Sequence, residues 1–204
     1  MMESFFAAWC TVLSLSFIWP QVWRTVRHDS TQGLSAFAAV YGVVGAGLWF
    51  AYGLGAENTA IWFSNASFIV AQSIIITVMW RHGRVPRVML TRFAALFAVV
   101  LVVLLPLPST AFGWTATVVS ASSLVPQAVH VARAENMHAI SLASWVVTII
   151  SASSWMAFGW VINDPVMSVV NYITIPMMIF ILVRATRWRL ANGLALTGRA
   201  LVSA

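Results

Sequence analysis

The sequence has no lysine, one cysteine and only five acidic residues, and each shortage removes a class of protein. A single thiol, Cys10, excludes an intramolecular disulfide framework and a cysteine zinc site, and fits a small residue inside a helix. Charged residues make up 8 % and apolar ones 61 %, where soluble domains average roughly 25 % and 45–50 %. A soluble chain of 204 residues has no way to hide that much apolar surface, so the composition is that of an integral membrane protein. Catalytic signatures are missing too: there is no G-x-S-x-G, no H-E-x-x-H and no phosphate-binding G-x-x-x-x-G-K-[ST]. The acids and the four histidines (His28, His82, His130, His138) all fall at expected helix ends, so no base or proton relay lies deep in a span. Neither an enzyme, a metal site nor a cofactor is expected. The net charge of +6 comes entirely from arginine and reads as a topology signal rather than as nucleic-acid binding.

A membrane-crossing helix needs about 20 mostly apolar residues. Between polar punctuation the chain offers seven such stretches, at 5–23, 33–55, 59–80, 90–107, 110–130, 139–162 and 166–184. The fourth is the weakest by pattern, closed early by Pro106 and Pro108, and it stands because Arg92 can snorkel to the headgroups. The first carries Glu3 where a signal peptide would carry Lys or Arg, and is expected to be retained. The connections then sort into two sets. One holds all 11 arginines; the other holds Glu3, Glu57 and Asp164 and no arginine. Positive-inside bias places the N-terminus outside and the C-terminus in the cytoplasm, with seven crossings.

Sliding the chain by 106 positions aligns Pro20-Gln21 with Pro126-Gln127, and no gap is needed afterwards. Arg27 then meets Arg133, Ser35 meets Ser141, Trp49 meets Trp155, Gly53 meets Gly159, Asn65 meets Asn171 and Arg81 meets Arg187. Over residues 11–81 there are 17 identities in 71 pairs, and shared Pro, Gln, Trp and Asn in one register exceed what two apolar segments share by chance. Three crossings end on the opposite side from their start, so the extra span restores orientation and makes the repeats parallel. The expected architecture is all-α, 3+1+3: a first three-helix repeat at 1–88, a linker span at 89–108, a second repeat at 109–190 and a cytoplasmic tail at 191–204.

The stretch Trp19-Pro20-Gln21-Val22-Trp23-Arg24, running on through Asp29-Ser30-Thr31-Gln32-Gly33-Leu34-Ser35, resembles the signature of PQ-loop proteins. A second copy runs from Val125-Pro126-Gln127 to Ile140-Ser141, with Ala139 where the signature has glycine. The 3+1+3 layout, with Trp in the second helix and Asn in the third helix of each repeat, resembles the SWEET sugar transporters and their single-repeat SemiSWEET relatives. That resemblance covers nearly the whole chain up to about residue 190.

Geometry supplies an argument of its own. Trp49 lies eight residues before Glu57 at the outer turn and Asn65 eight after it; Trp155 and Asn171 flank Asn163 in the same way. At about 1.5 Å of rise per residue, all four side chains sit roughly 12 Å in from the outer end. If the repeats face each other, two indoles and two carboxamides ring one cavity. Indole faces pack on the C–H faces of a pyranose, and amides donate to and accept from hydroxyls. A charged substrate would want an opposite charge at that depth, and none is present. The plainer reading is that a membrane Trp packs or anchors, as expected for Trp19, Trp23, Trp80, Trp114 and Trp188, and that a membrane Asn bonds a neighbouring helix. Duplication at equal depth argues against it here.

Pro20 and Pro126 each remove an amide donor and free the carbonyl four residues earlier, at Ser16 and Ser122. With Gln21 and Gln127 they mark an expected hinge or gate toward the cytoplasmic ends of the first helix of each repeat, a role the SWEET resemblance also implies. The resemblance is incomplete, because the second and sixth spans carry no proline. Pro176 interrupts the seventh span, while its counterpart in the third is Val70.

The leading functional expectation is a facilitative uniporter for a neutral mono- or disaccharide, working by alternating access in a bacterial plasma membrane, with oligomeric state left open. Two alternatives stand beside it. One is a proton-coupled amino-acid exporter resembling the cystinosin-like PQ-loop branch, with Asp29 and Glu135 as matched proton sites; otherwise these are solvated residues beside Arg27 and Arg133. The other is a receptor or assembly factor on the same scaffold, using the arginine-rich loop and tail.

Overall fold

The computed structural model describes residues 1–29, 31, 34–133, 137 and 140–196. Seven helices account for almost all of it: α1 (Met2–Arg27), α2 (Ala36–Gly55), α3 (Thr59–Arg81), α4 (Arg87–Leu104), α5 (Ser109–Arg133), α6 (Leu142–Val161) and α7 (Pro165–Ala191). Each coincides with one of the seven stretches read from the sequence. Among the described residues, six helices are long and apolar enough to cross a membrane; α5 is the one below that mark. The expectation had the wrong weak member. The flanking prolines merely bound α4, whose body is Val, Leu, Ala and Phe, whereas α5 spreads Thr115, Thr117, Ser120, Ser122, Ser123 and Gln127 along its length.

Helix ends are set by local chemistry. Ser35, Asn58, Ser141 and Asp164 each cap the helix that follows, accepting a backbone N–H three residues on. Pro86 precedes the first turn of α4 and Pro165 occupies that of α7, where proline costs no hydrogen bond. Pro20 and Pro126 lie inside unbroken helices. So does Pro176: α7 runs through it without interruption, because one lost amide bond in a 27-residue helix is spanned by its neighbours.

The chain divides into two compact units, Met1–Val119 and Ser120–Ala204, with the boundary inside α5. In the first unit α3 packs against both α1 and α2, and α4 packs against α2. Its core is Ile18 and Val22 from α1, Ala39 and Val40 from α2, and Ala71, Ile75 and Met79 from α3, closed by Val85. Phe97 of α4 lies over Gly47, where an added Cβ would stand 2.6 Å from the ring. Only Leu104 of α4 is buried, while Val88, Leu96, Val99, Val102 and Val103 are exposed. In water such a face would aggregate; in a bilayer it is an ordinary lipid surface. In the second unit α6 packs on α7, and the core holds Val131, Met137, Leu142, Ile181 and Ala185. These are the residues 106 positions beyond Thr25, Thr31, Ala36, Ile75 and Met79.

Candidate functional site

The α2–α3 hairpin is built by a short series of contacts. Gly53 lets the two helices close together: a Cβ there would lie 2.6 Å from the backbone nitrogen of Trp62. The Gly53 carbonyl accepts the N–H of Asn58 at 2.9 Å across the turn, and Glu57 takes a left-handed φ of 52° to make that turn. The Asn58 carboxamide oxygen then caps the N–H of Ile61 at 3.2 Å, and the Ile61 carbonyl accepts Nδ2 of Asn65 at 2.8 Å. On the facing helix Trp49 meets Tyr52 edge to face, with ring centroids 5.9 Å apart.

The α6–α7 hairpin repeats every step. A Cβ on Gly159 would lie 2.4 Å from the Ser168 hydroxyl. The Gly159 carbonyl accepts the N–H of Asp164 at 2.8 Å, and Asn163 takes φ 54°. The Asp164 carboxylate caps Met167 at 3.1 Å, and the Met167 carbonyl accepts Nδ2 of Asn171 at 2.9 Å. Trp155 packs on Phe158 at 6.0 Å. Trp49 and Trp155 thus stand on the first helix of their hairpins, and Asn65 and Asn171 on the second.

One detail differs from the plainer reading of the asparagines. Neither amide reaches a neighbouring helix for this bond; each spends one N–H on its own helix, four residues back. That bond fixes the side-chain rotamer and leaves a carbonyl oxygen and a second N–H for another partner. Asn171 is buried, and Asn65, Trp49 and Trp155 are partly so.

At the other end of the helices, here termed the motif end, the two copies are less alike. Gln21 donates to the buried hydroxyl of Thr25 at 3.1 Å. Gln127 has no such partner four residues on, where Val131 stands. Ser16, whose carbonyl Pro20 frees, turns its hydroxyl to the Leu13 carbonyl at 2.9 Å; Ser122 is exposed. Asp29, at a left-handed φ of 43°, pairs with His82 at 3.1 Å on the surface. Its partner is therefore not Arg27, as the sequence suggested, for the Arg27 guanidinium lies over the Trp23 ring, 5.5 Å from its centroid. Glu135 and most of the second motif loop, with Ser30, Gln32 and Gly33 of the first, lie outside the described residues. Among the described residues no group of three or more His, Cys, Asp or Glu is placed to hold a metal.

Sequence reasoning missed two features. The caps at Asn58 and Asp164 are legible from ordinary capping rules; the arginines that bind the motif loops, Arg84 and Arg189, give no sequence signal because they are out of repeat register.

Comparison with known proteins bears on both halves. Residues 110–184 match the family described as sugar efflux transporters for intercellular exchange, and residues 2–62 match the PQ loop repeat. A eukaryotic SWEET transporter, solved at 3.7 Å resolution, superposes with a TM-score of 0.72 over 93 % of this chain and 100 % of its own, at 14 % sequence identity. At that identity the likeness is one of fold. No curated protein matches the chain in sequence.

Proposed function

From the premise that the chain is a PQ-loop, SWEET-like membrane protein, a transporter scaffold and not an enzyme, we propose that it is a facilitative uniporter for a neutral mono- or disaccharide. Family and fold support a sugar transporter; the finer reading rests on the hairpins. The observation that carries it is the pair of asparagine amides, each held by the carbonyl four residues back, on the helix that pairs with a tryptophan-bearing one in its hairpin. Trp49, Asn65, Trp155 and Asn171 contact the sugar: the indoles stack on its C–H faces and the amides meet its hydroxyls. No charge accompanies them at that depth, so the substrate is uncharged and no ion need be coupled to it.

In this reading the N-terminus is outside and the arginine-bearing motif end is cytoplasmic, in a bacterial plasma membrane. Pro20 and Pro126, with Gln21 and Gln127 beside them and Ser16 and Ser122 one turn before, bend the first helix of each repeat so that the cytoplasmic gate opens and closes by alternating access. The repeats run over 1–88 and 109–190 about the 89–108 span.

Purified protein in proteoliposomes tests this directly. Efflux of labelled glucose or sucrose that is saturable and insensitive to pH supports uniport. An inward proton current that appears only with an amino acid overturns it in favour of the proton-coupled exporter.

A further inference from the structure

The connection between the first and second helices of each repeat is fastened by an arginine from the end of the third. In the first repeat α3 ends in a Schellman motif: Gly83 has φ 67°, its N–H bonds the Trp80 carbonyl at 2.9 Å, and the Arg84 N–H bonds the Met79 carbonyl at 2.9 Å. This sends the Arg84 side chain back across the bundle. Its guanidinium donates to the Thr31 carbonyl, to the Thr31 hydroxyl at 2.9 Å and to the Leu34 carbonyl at 2.9 Å. Thr31 is buried, and Leu34 directly precedes Ser35, the cap of α2.

In the second repeat α7 is longer at this end and reaches the same kind of cap, with Gly193 at φ 64° and the Leu194 N–H on the Arg189 carbonyl at 2.9 Å. Arg189 is therefore still helical. Its guanidinium donates to the Ile140 carbonyl at 3.1 Å and to the Ala195 carbonyl at 3.1 Å, and the residue is 5 % exposed. Ile140 is the counterpart of Leu34 at the offset of 106, but the counterpart of Arg84 is Leu190. Two different backbone settings, one in a loop and one in a helix, thus deliver a guanidinium to the same carbonyl. The contact is not a by-product of repeat register.

Resting on the sugar-carrier reading, we propose that Arg84 and Arg189 are positioning residues of the transport cycle. Each ties the motif loop of its repeat to the end of the third helix. The segment beyond Pro20 or Pro126 then moves together with α3 or α7 instead of swinging alone. A fork of donors is required, because two carbonyls at different positions must be met at once, and the three donors of an ammonium all leave from one nitrogen. The second latch also closes on Ala195, so it couples the start of the C-terminal segment to the α5–α6 connection.

Two measurements on the full-length protein test this. In proteoliposomes loaded with labelled sucrose or glucose, Arg84→Gln should lower the maximal efflux rate by about tenfold, with the half-saturating sugar concentration unchanged. Arg84→Lys should recover less than half of that loss. Amide hydrogen exchange in nanodiscs should quicken in residues 21–29 and 34–38 of R84Q and stay the same at the Glu57 turn. Thr31→Val, which removes one acceptor from exposed Arg84 without touching the charge, should fall between; it serves also if R84Q fails to fold. Full recovery in R84K would mean that charge alone matters, and would overturn the latch, as would equal losses of affinity and rate. If wild-type protein moves no sugar, the carrier reading falls, and exchange alone decides: unchanged loop exchange in R84Q overturns the latch.

Discussion

The amide of Asn65 is held by the carbonyl of Ile61, 2.8 Å away in the same helix. Its rotamer is fixed before any ligand arrives, which lowers the entropy lost on binding. Removing the amide should therefore leave the fold alone, because the Ile61 carbonyl remains in the helical ladder. N65A and N171A are expected to reduce sugar efflux by about 10- to 100-fold, the loss of a hydrogen bond or two to substrate. Their melting temperatures should match wild type. A large drop in melting temperature would mark the amides as structural.

Gly53 and Gly159 make the opposite case. A methyl group at either position collides with the third helix of the repeat, at Trp62 or Ser168, so G53A and G159A should destabilise by about 1–3 kcal/mol. Gly83 is a useful contrast, for nothing lies within 4 Å of an added Cβ and only its φ of 67° resists. G83A should cost about 1–2 kcal/mol of backbone strain alone. Thermal unfolding in detergent ranks them, and sugar binding should be lost with G53A and G159A but kept with G83A.

Replacing Pro20 and Pro126 together by alanine restores two helical amide donors and removes the ring clash with the carbonyl four residues earlier. Transport should fall sharply while sugar binding, followed by tryptophan fluorescence, persists. Unchanged efflux would show that the prolines are static features of α1 and α5.

The surface pair of Asp29 and His82 separates the two transport readings. Exposed pairs contribute about 0–1 kcal/mol, so D29N and H82Q should leave uniport and stability nearly unchanged. Sugar efflux should also stay flat between pH 6 and 8, measured in symmetrical buffers. Abolished flux in D29N or E135Q, with loss of a proton current, would move the assignment to the proton-coupled branch.

Much of this was legible in the sequence because it is periodic. Spacing about Glu57 and Asn163 located the turns between α2 and α3 and between α6 and α7, and the turn residues adopt the left-handed backbone at both matched positions. Hydropathy found every helix but misjudged which was weakest, since prolines at the ends of α4 say nothing about its interior. Contacts between distant positions were not legible. His82 is 53 residues from Asp29, and Arg27 offered a nearer charge that the fold turns toward Trp23 instead. Arg84 and Arg189 escaped because chemistry is preserved there while register is not.

The 18 residues of α4 give a rod of about 27 Å, against about 30 Å of hydrocarbon in a typical bilayer. Since α4 buries so little of itself against the protein, lipid is its principal neighbour, and hydrophobic mismatch falls on it first. Thicker membranes would draw Arg87 and Arg92 toward the acyl chains and strain the seam between Phe97 and Gly47. Acyl-chain length thereby becomes a control on how tightly α4 packs against α2.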